Sequence, residues 1–236
     1  MDEDLLHIEP VEPDLTEEYL AEGQRQKDPW PKLAELFAKY KGTKPNPKSE
    51  DDLQANPSVL TTLYFPRSKR VPEHLLELRP PMQKMHEFVY KRGLDGWNTT
   101  SNQATAHIAA ELDKLLYSVD RYPKGNRVNL PLLFGPDGIK QRGHQADAYR
   151  EDADGRATVI EIEAGTAVAN NAYLKDIFEA CMVDNVDYLV LAVRKLYQAD
   201  KGGPNPHFQF VKRALDTLYT SDRLRLPFKG VWLIGY

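Results

Sequence analysis

The segment from Tyr188 to Arg194 constrains the fold more than any other part of the chain. It reads Tyr-Leu-Val-Leu-Ala-Val-Arg, so both of its alternating faces are largely apolar. An apolar run of this length, rich in branched side chains, is typical of a β-strand that is buried on both faces. Such a strand needs a covering layer on each side, so the neighbouring sequence has to supply helices for both faces of a sheet.

Periodic segments around this strand can provide those layers. Apolar residues at helical spacing predict helices over Thr105–Tyr117, Asn170–Val183 and Phe208–Tyr219. Alternating or β-branched segments predict further strands over Gly143–Arg150, Ala157–Ala164 and Gly230–Ile234. We therefore expect an α/β fold over residues 101–236, with a mixed central β-sheet flanked by helices.

The first hundred residues differ from this core in composition. Residues 1–28 form an acidic leader with ten Asp or Glu and two Arg or Lys, so the leader carries −8 and the rest of the chain +4 of the net −4. Residues 29–100 form a Pro-rich extension of loops and helices, including a helix over Trp30–Tyr40, that we expect to pack on the core. A mildly basic body permits contact with nucleic acid without predicting it.

Other properties of the chain indicate its compartment. No stretch approaches the roughly 20 apolar residues of a membrane span, so no membrane partner is expected. The acidic start at Met1 is unlike the basic start of a secretory signal. The single cysteine, Cys181, excludes a disulfide framework and a cysteine metal knuckle. We therefore expect a cytoplasmic protein.

Two acids lie on one face of the strand Ala157–Ala164. Alternate side chains of a strand share a face, so Glu161 and Glu163 point away from Ile160 and Ile162. Neighbouring carboxylates on an apolar strand repel each other and lose hydration, and a divalent cation is the simplest compensation. The alternative is a strand with one solvated face.

The preceding strand brings a third acid to the same place. A loop of Ala153, Asp154 and Gly155 fits the hairpin best, because its third residue has to adopt a left-handed conformation that glycine accepts. In that register paired residue numbers sum to 308, so Asp147 lies opposite Glu161 and Gln145 opposite Glu163. Three carboxylates on one patch favour a hard cation such as Mg²⁺, which prefers oxygen ligands.

Two further residues have a position relative to this patch that follows from helix or strand geometry. Glu111 falls at the border of the apolar stripe of helix Thr105–Tyr117, where it could reach a second metal ion or remain a partly exposed surface residue. His144 is three residues from Asp147, so an unbroken strand would turn it to the opposite face, as a packing or DNA-contacting residue.

The order of Asp147, a turn, Glu161-Ile-Glu163, a helix and an apolar strand resembles the PD-(D/E)XK nuclease superfamily. Glu163 stands where the usual motif has lysine, which is similar to the BamHI/BglII-type branch of the type II restriction endonucleases. Ala146 stands where the motif has proline. The resemblance covers residues 105–194, less than half of the chain, and implies a restriction-endonuclease-like core with an N-terminal loop-rich and helical extension.

The resemblance also implies an activity and partners. It implies an Mg²⁺-dependent endonuclease that hydrolyses phosphodiester bonds of double-stranded DNA, with Mn²⁺ able to replace Mg²⁺. Asp147 and Glu161 would bind the metal, Glu163 would orient or deprotonate the attacking water, and Glu111 would serve a second metal ion. A homodimer that reads a specific sequence, and a cognate DNA methyltransferase, are implied in the same way.

Three alternatives remain open at this point. A non-specific, repair, phage or RNA-directed nuclease could be built on the same core. The acids could instead be structural, in a nucleic-acid-binding module without catalysis. A glycosidase fits poorly, because its two acids face each other across a cleft of roughly 5 to 10 Å and are not neighbours on one strand.

Overall fold

The computed structural model describes residues 56–91, 99–121, 123, 125–165, 167–168, 171–197, 205–221 and 223–236. The acidic leader and the helix predicted over Trp30–Tyr40 lie outside the described residues.

The described residues form helices and strands that alternate along the chain. The helices are α1 (Glu73–Leu76), α2 (Arg79–Lys91), α3 (Ser101–Lys114), α4 (Ala172–Met182) and α5 (His207–Thr220). The strands are β1 (Thr61–Phe65), β2 (Ser118–Val119), β3 (Val128–Phe134), β4 (Lys140–Ala146), β5 (Ala148–Glu151), β6 (Ala157–Glu163), β7 (Val186–Val193) and β8 (Gly230–Gly235).

A six-stranded mixed sheet organises these elements, in the order β1-β8-β7-β6-β5-β2. Strands β6, β7 and β8 run parallel, whereas β1, β5 and β2 pair antiparallel with their neighbours. Strands β3 and β4 form a separate two-stranded antiparallel ribbon. The mixed α/β fold expected from the sequence is therefore confirmed.

Two hydrophobic cores cover the two faces of the sheet. Leu189 and Leu191 of β7 pack with α4, α5 and the inner side of the ribbon. Val190 and Ala192 of the same strand pack with residues of α1, α2 and α3 on the opposite face. Strand β7 is thus buried on both faces, as its continuous apolar sequence predicts.

The N-terminal half contributes more to the sheet than its proline content indicates. Strand β1, Thr-Thr-Leu-Tyr-Phe, pairs with residues 231–235 of β8 and forms one edge of the sheet. The segment predicted as a loop-rich covering therefore supplies a strand of the core as well as helices α1 and α2. None of the helices in the described parts of the chain is long and apolar enough to cross a membrane.

Candidate active site

The hairpin of β5 and β6 has the predicted geometry. Gly155 has a φ of 79°, and the amide of Asp152 donates to the carbonyl of Arg156 at 2.8 Å, closing a three-residue loop. Ala148 pairs with Ile160, which is the predicted register. The left-handed residue is needed to reverse the chain here, and glycine adopts it without steric penalty. Asp147 is therefore delivered next to Glu161.

Asp147 lies at a bend that separates β4 from β5. Its Oδ2 accepts a hydrogen bond of 2.7 Å from the amide of Ile162, and its Oδ1 accepts one of 3.3 Å from the hydroxyl of Thr105. The pairing of β5 with β6 ends at Ala148, so the carboxylate takes the place of a backbone acceptor where the strand has left the sheet. This contact fixes the carboxylate at the edge of β6.

Helix α3 begins in a way that places Thr105 against Asp147. The hydroxyl of Thr100 accepts from the amide of Gln103, whose side chain in turn accepts from the amide of Thr100. This capping box fixes the first turn of the helix. The single hydroxyl hydrogen of Thr105, one turn later, is shared between the carbonyl of Ser101 at 2.9 Å and Oδ1 of Asp147 at 3.3 Å. Helix α3 therefore contacts the Asp147 carboxylate from the face of the sheet that carries Ile160 and Ile162.

Glu161 is buried and held by a histidine. Its Oε1 lies 2.7 Å from Nε2 of His144, and Nδ1 of the same ring lies 2.7 Å from Oε2 of Glu179 on α4. The His144 side chain is only 1% exposed. The opposite-face prediction for His144 is therefore wrong, because the bend at Asp147 breaks the alternation on which it depends.

The same bend changes the position of Gln145. The sequence placed Gln145 opposite Glu163, but in the structure it pairs with Asn129 of β3. The single strand predicted over Gly143–Arg150 is two strands in different sheets. Only the part that begins at Ala148 follows the predicted register.

Glu163 ends β6 and faces a fourth acid. Asp176 is buried on α4 and forms a side-chain hydrogen bond with Glu163. Sequence reasoning missed Asp176, although the signal was present: it lies beside Tyr173, Ile177 and Ala180 on the buried face of the helix. A charged residue in an otherwise apolar helical stripe needs a specific partner.

The pKa values of three of these carboxyl groups are raised. Burial raises the pKa of Asp147 to about 6. The hydrogen bond from the Ile162 amide opposes this increase, and repulsion from Glu163 adds to it. Burial and the charges of Asp147 and Glu163 raise the pKa of Glu161 well above its usual range. Burial, followed by repulsion from Glu161, raises the pKa of Asp176 to about 9. The acids are thus close enough to act as one electrostatic cluster.

Glu111 forms an ion pair with a lysine of α2. Its Oε1 lies 2.5 Å from Nζ of Lys84 on α2, and its side chain is about a third exposed (30%). The hydrogen bond from Lys84 lowers the pKa of Glu111. The partly exposed position at the border of the helix is as predicted, but the residue through which α3 contacts the other acids is Thr105.

The donor chemistry of the cluster fits a hard divalent cation. The candidate ligands are all carboxylate oxygens, and buried Oδ2 of Asp176 has no hydrogen-bond partner. In the described parts of the chain, however, no set of three or more His, Cys, Asp or Glu side chains is already arranged around a common metal position. Glu161 uses Oε1 for its contact with His144, so Oε2 is the oxygen that it could offer to a cation.

No model of a known protein family matches the chain, and no curated protein matches it.

Proposed function

We propose that this chain is an Mg²⁺-dependent endonuclease that hydrolyses phosphodiester bonds of double-stranded DNA, as a sequence-specific type II restriction enzyme. The main support is the convergence of Asp147, Glu161 and Glu163 where β5 and β6 diverge. Buried carboxylates with raised pKa values, as at Asp147 and Glu161, mark candidate functional sites, and carboxylates are ligands of the metal ions that catalyse phosphoryl transfer. The order of the same residues along the chain resembles the PD-(D/E)XK nucleases.

Each acid has a role that follows from its contacts. Asp147 is fixed by the amide of Ile162 and would hold Mg²⁺, or Mn²⁺ in its place, together with Glu161. Glu163 would orient the attacking water and accept its proton, since it ends the strand beside Asp176. A bound Mg²⁺ would stabilise the charge that develops on the phosphate. Glu111 is proposed for a second metal ion, which requires its release from Lys84.

A homodimer is part of the proposal. Phe178 and Met182 are 48% and 53% exposed one turn apart on α4. Neighbouring exposed apolar side chains of this size mark a surface that another molecule can cover. A cognate DNA methyltransferase that protects the host sequence, and a cytoplasmic location, complete the proposed restriction function.

The test is incubation of the purified chain with plasmid and genomic DNA, with and without Mg²⁺. Discrete fragments that appear only with the metal ion are the expected result. A smear would replace sequence-specific cleavage by a non-specific nuclease on the same core. Asp147→Asn is the matched control, because it keeps the size of the side chain and removes its charge.

A nucleic-acid-binding module without catalysis is the second candidate. It is favoured by the contacts that Asp147 makes with Ile162 and Thr105, which would be useful as architecture alone. This candidate predicts DNA binding that is indifferent to Mg²⁺ and DNA that stays intact. If the wild-type protein binds DNA measurably but leaves it uncut with both Mg²⁺ and Mn²⁺, the nuclease proposal is wrong.

A further inference from the structure

The ribbon of β3 and β4 has one buried face and one exposed face. Its inner face carries Val128, Leu130, His144 and Ala146, which are all buried against the sheet and α4. The outer face carries polar and small residues, which are exposed except for the half-buried glycine: Asn129, Pro131, Gln141, Gly143 and Gln145. The buried face fixes the ribbon, so its outer face is a preformed surface.

Amide side chains dominate the part of this outer face nearest the acids. Asn129 and Gln145 lie directly opposite each other, and Arg127 donates to Oε1 of Gln145 at 2.6 Å. The next pair is Pro131 and Gly143. Any side chain at Gly143 would collide with Oδ1 of Asn129, so glycine leaves room for that amide to lie across the ribbon.

The far end of the ribbon is apolar and basic. Leu133, Phe134 and Ile139 are each more than half exposed. Lys140 and Arg142 are also exposed and are the only Lys or Arg within residues 128–146, where the one acid is Asp137 in the turn. Arg142 is two residues from His144, so its side chain leaves β4 on the side of the buried face and reaches solvent at the end of the ribbon. Arg142 has a distant contact of 3.9 Å with Glu179. The exposed end of the ribbon therefore presents basic and apolar side chains together.

We propose that this ribbon enters the major groove of double-stranded DNA and reads it. The inference rests on the proposed nuclease function and adds the element that would recognise the substrate. A major groove about 12 Å wide admits a two-stranded ribbon whose strands are about 5 Å apart. Asn and Gln side chains pair with adenine edges, apolar side chains contact thymine methyl groups, and Lys or Arg bind phosphates.

Chain continuity connects this surface to the candidate active site. Strand β4 ends at Ala146, and Asp147 is the next residue. Gln145 is therefore only two residues from the carboxylate, a distance of about 7 Å along an extended chain. DNA held on the ribbon would run past the end of β4, where Asp147 lies.

A second copy of the chain suits this surface less well. A two-fold contact centred on the basic end of the ribbon would bring Lys140 and Arg142 of the two copies together, because residues near a two-fold axis meet their own copies. Like charges at close range repel, whereas a polyanion neutralises both residues. The charge of the ribbon therefore favours DNA over self-association.

The test is fluorescence anisotropy with a labelled random-sequence 30-base-pair duplex, without divalent metal and over a series of salt concentrations. The double variant Lys140→Ala/Arg142→Ala should bind about tenfold more weakly at low salt, and the slope of log K against log salt should fall by about 2. The control Lys212→Ala/Lys229→Ala removes the same charge from α5 and the β8 region. It should alter affinity less than twofold.

Base reading is tested separately with Asn129→Ala. The wild-type chain should retain duplexes of a preferred sequence from a random library. In the variant the enrichment of that sequence should fall at least tenfold, while the affinity for the unselected library stays within about threefold of the wild-type value. Lys140→Ala alone is included because Arg142 lies near Glu179. Circular dichroism verifies that every variant is folded.

The outcomes separate the ribbon from the nuclease. If the wild type cleaves DNA with Mg²⁺ but the ribbon variants bind and select like the wild type, the ribbon inference is wrong and the nuclease stands. If binding depends on the ribbon but no metal ion supports cleavage, the ribbon inference stands and the nuclease proposal is wrong. A ribbon variant that loses only self-association in sedimentation, with DNA affinity unchanged, also overturns the inference.

Discussion

Replacing Asp147 with asparagine should stabilise the protein when metal is absent. The carboxylate has its pKa raised from 3.8 to about 6, chiefly by burial. A group whose pKa is raised on folding contributes stability that is fully present below its unfolded pKa and is lost as the pH rises through its folded pKa. The metal-free protein should therefore lose this contribution between about pH 4 and pH 6–7.

The magnitude follows from the size of the shift. One pKa unit corresponds to about 1.4 kcal/mol, so the shift of about two units sets an upper limit near 3 kcal/mol at pH 8. Relaxation of the surroundings of the charged carboxylate reduces the cost of burying it, so we expect about 1–3 kcal/mol. Asparagine keeps an oxygen that can accept from Ile162 and never ionises, so Asp147→Asn should gain this amount at pH 8 and match the wild type near pH 4.

Urea unfolding in EDTA at pH 4.5, 6 and 8, followed by far-ultraviolet circular dichroism, measures the difference. For a domain of this size about 1–3 kcal/mol corresponds to roughly 2–12 °C in Tm. Mg²⁺ should raise the Tm of the wild type at pH 8 and leave the variant unchanged. Asp216→Asn, which removes a carboxylate from an exposed i,i+4 pair with Lys212, should change stability by less than about 0.5 kcal/mol at every pH.

The opposite result at pH 8 would refute this reasoning. A variant that is less stable than the wild type at high pH would mean that the Ile162 amide stabilises the ionised carboxylate more than burial and Glu163 destabilise it. Asp147 would then be an architectural acid, and the non-catalytic candidate would gain.

Three further predictions concern the carboxylates, His144 and the acidic leader. Asp147→Asn and Glu161→Gln should reduce Mg²⁺-dependent cleavage by about two orders of magnitude or more while metal-free duplex affinity persists, and Glu163→Lys should be inactive; wild-type cleavage rates in a plasmid assay would contradict the assignment. His144→Ala should lower the free energy of unfolding by about 2–4 kcal/mol in urea, because it leaves the buried Glu161 without its partner; a change under 0.5 kcal/mol would contradict this. Removal of residues 1–28 takes away eight net negative charges, so anisotropy should show duplex affinity equal to or above that of the whole chain at low salt; weaker binding by a folded truncation would contradict this expectation.

The parts of the site that follow from local rules could be predicted from the sequence. The register of β5 with β6 depends on a three-residue loop and on Gly155, both of which are visible in a few neighbouring residues. The shared face of Glu161 and Glu163 follows from the two-residue period of a strand. The double burial of β7 follows from its unbroken apolar sequence.

What could not be predicted depends on pairing between distant segments. The bend at Asp147 exists because β4 leaves the main sheet to pair with β3, a strand whose Pro131 argues against a strand in the sequence. That choice of partner turns His144 toward Glu161. Asp176 reaches the acids only through the packing of α4, and β1 joins the sheet through a partner about 170 residues later in the chain.

The bend at Asp147 also bears on why an acid occupies this position. The geometry requires an acceptor for the Ile162 amide and a contact for the Thr105 hydroxyl, and an asparagine side chain offers both. Aspartate satisfies the same geometry but, at neutral pH and without metal, it adds charge to a cluster where Glu161 and Asp176 already have raised pKa values. An architectural role alone would favour the neutral amide, by up to about 3 kcal/mol. A carboxylate kept at such a cost is expected where its negative charge is used, and binding of a cation is the use that the surrounding oxygen donors fit.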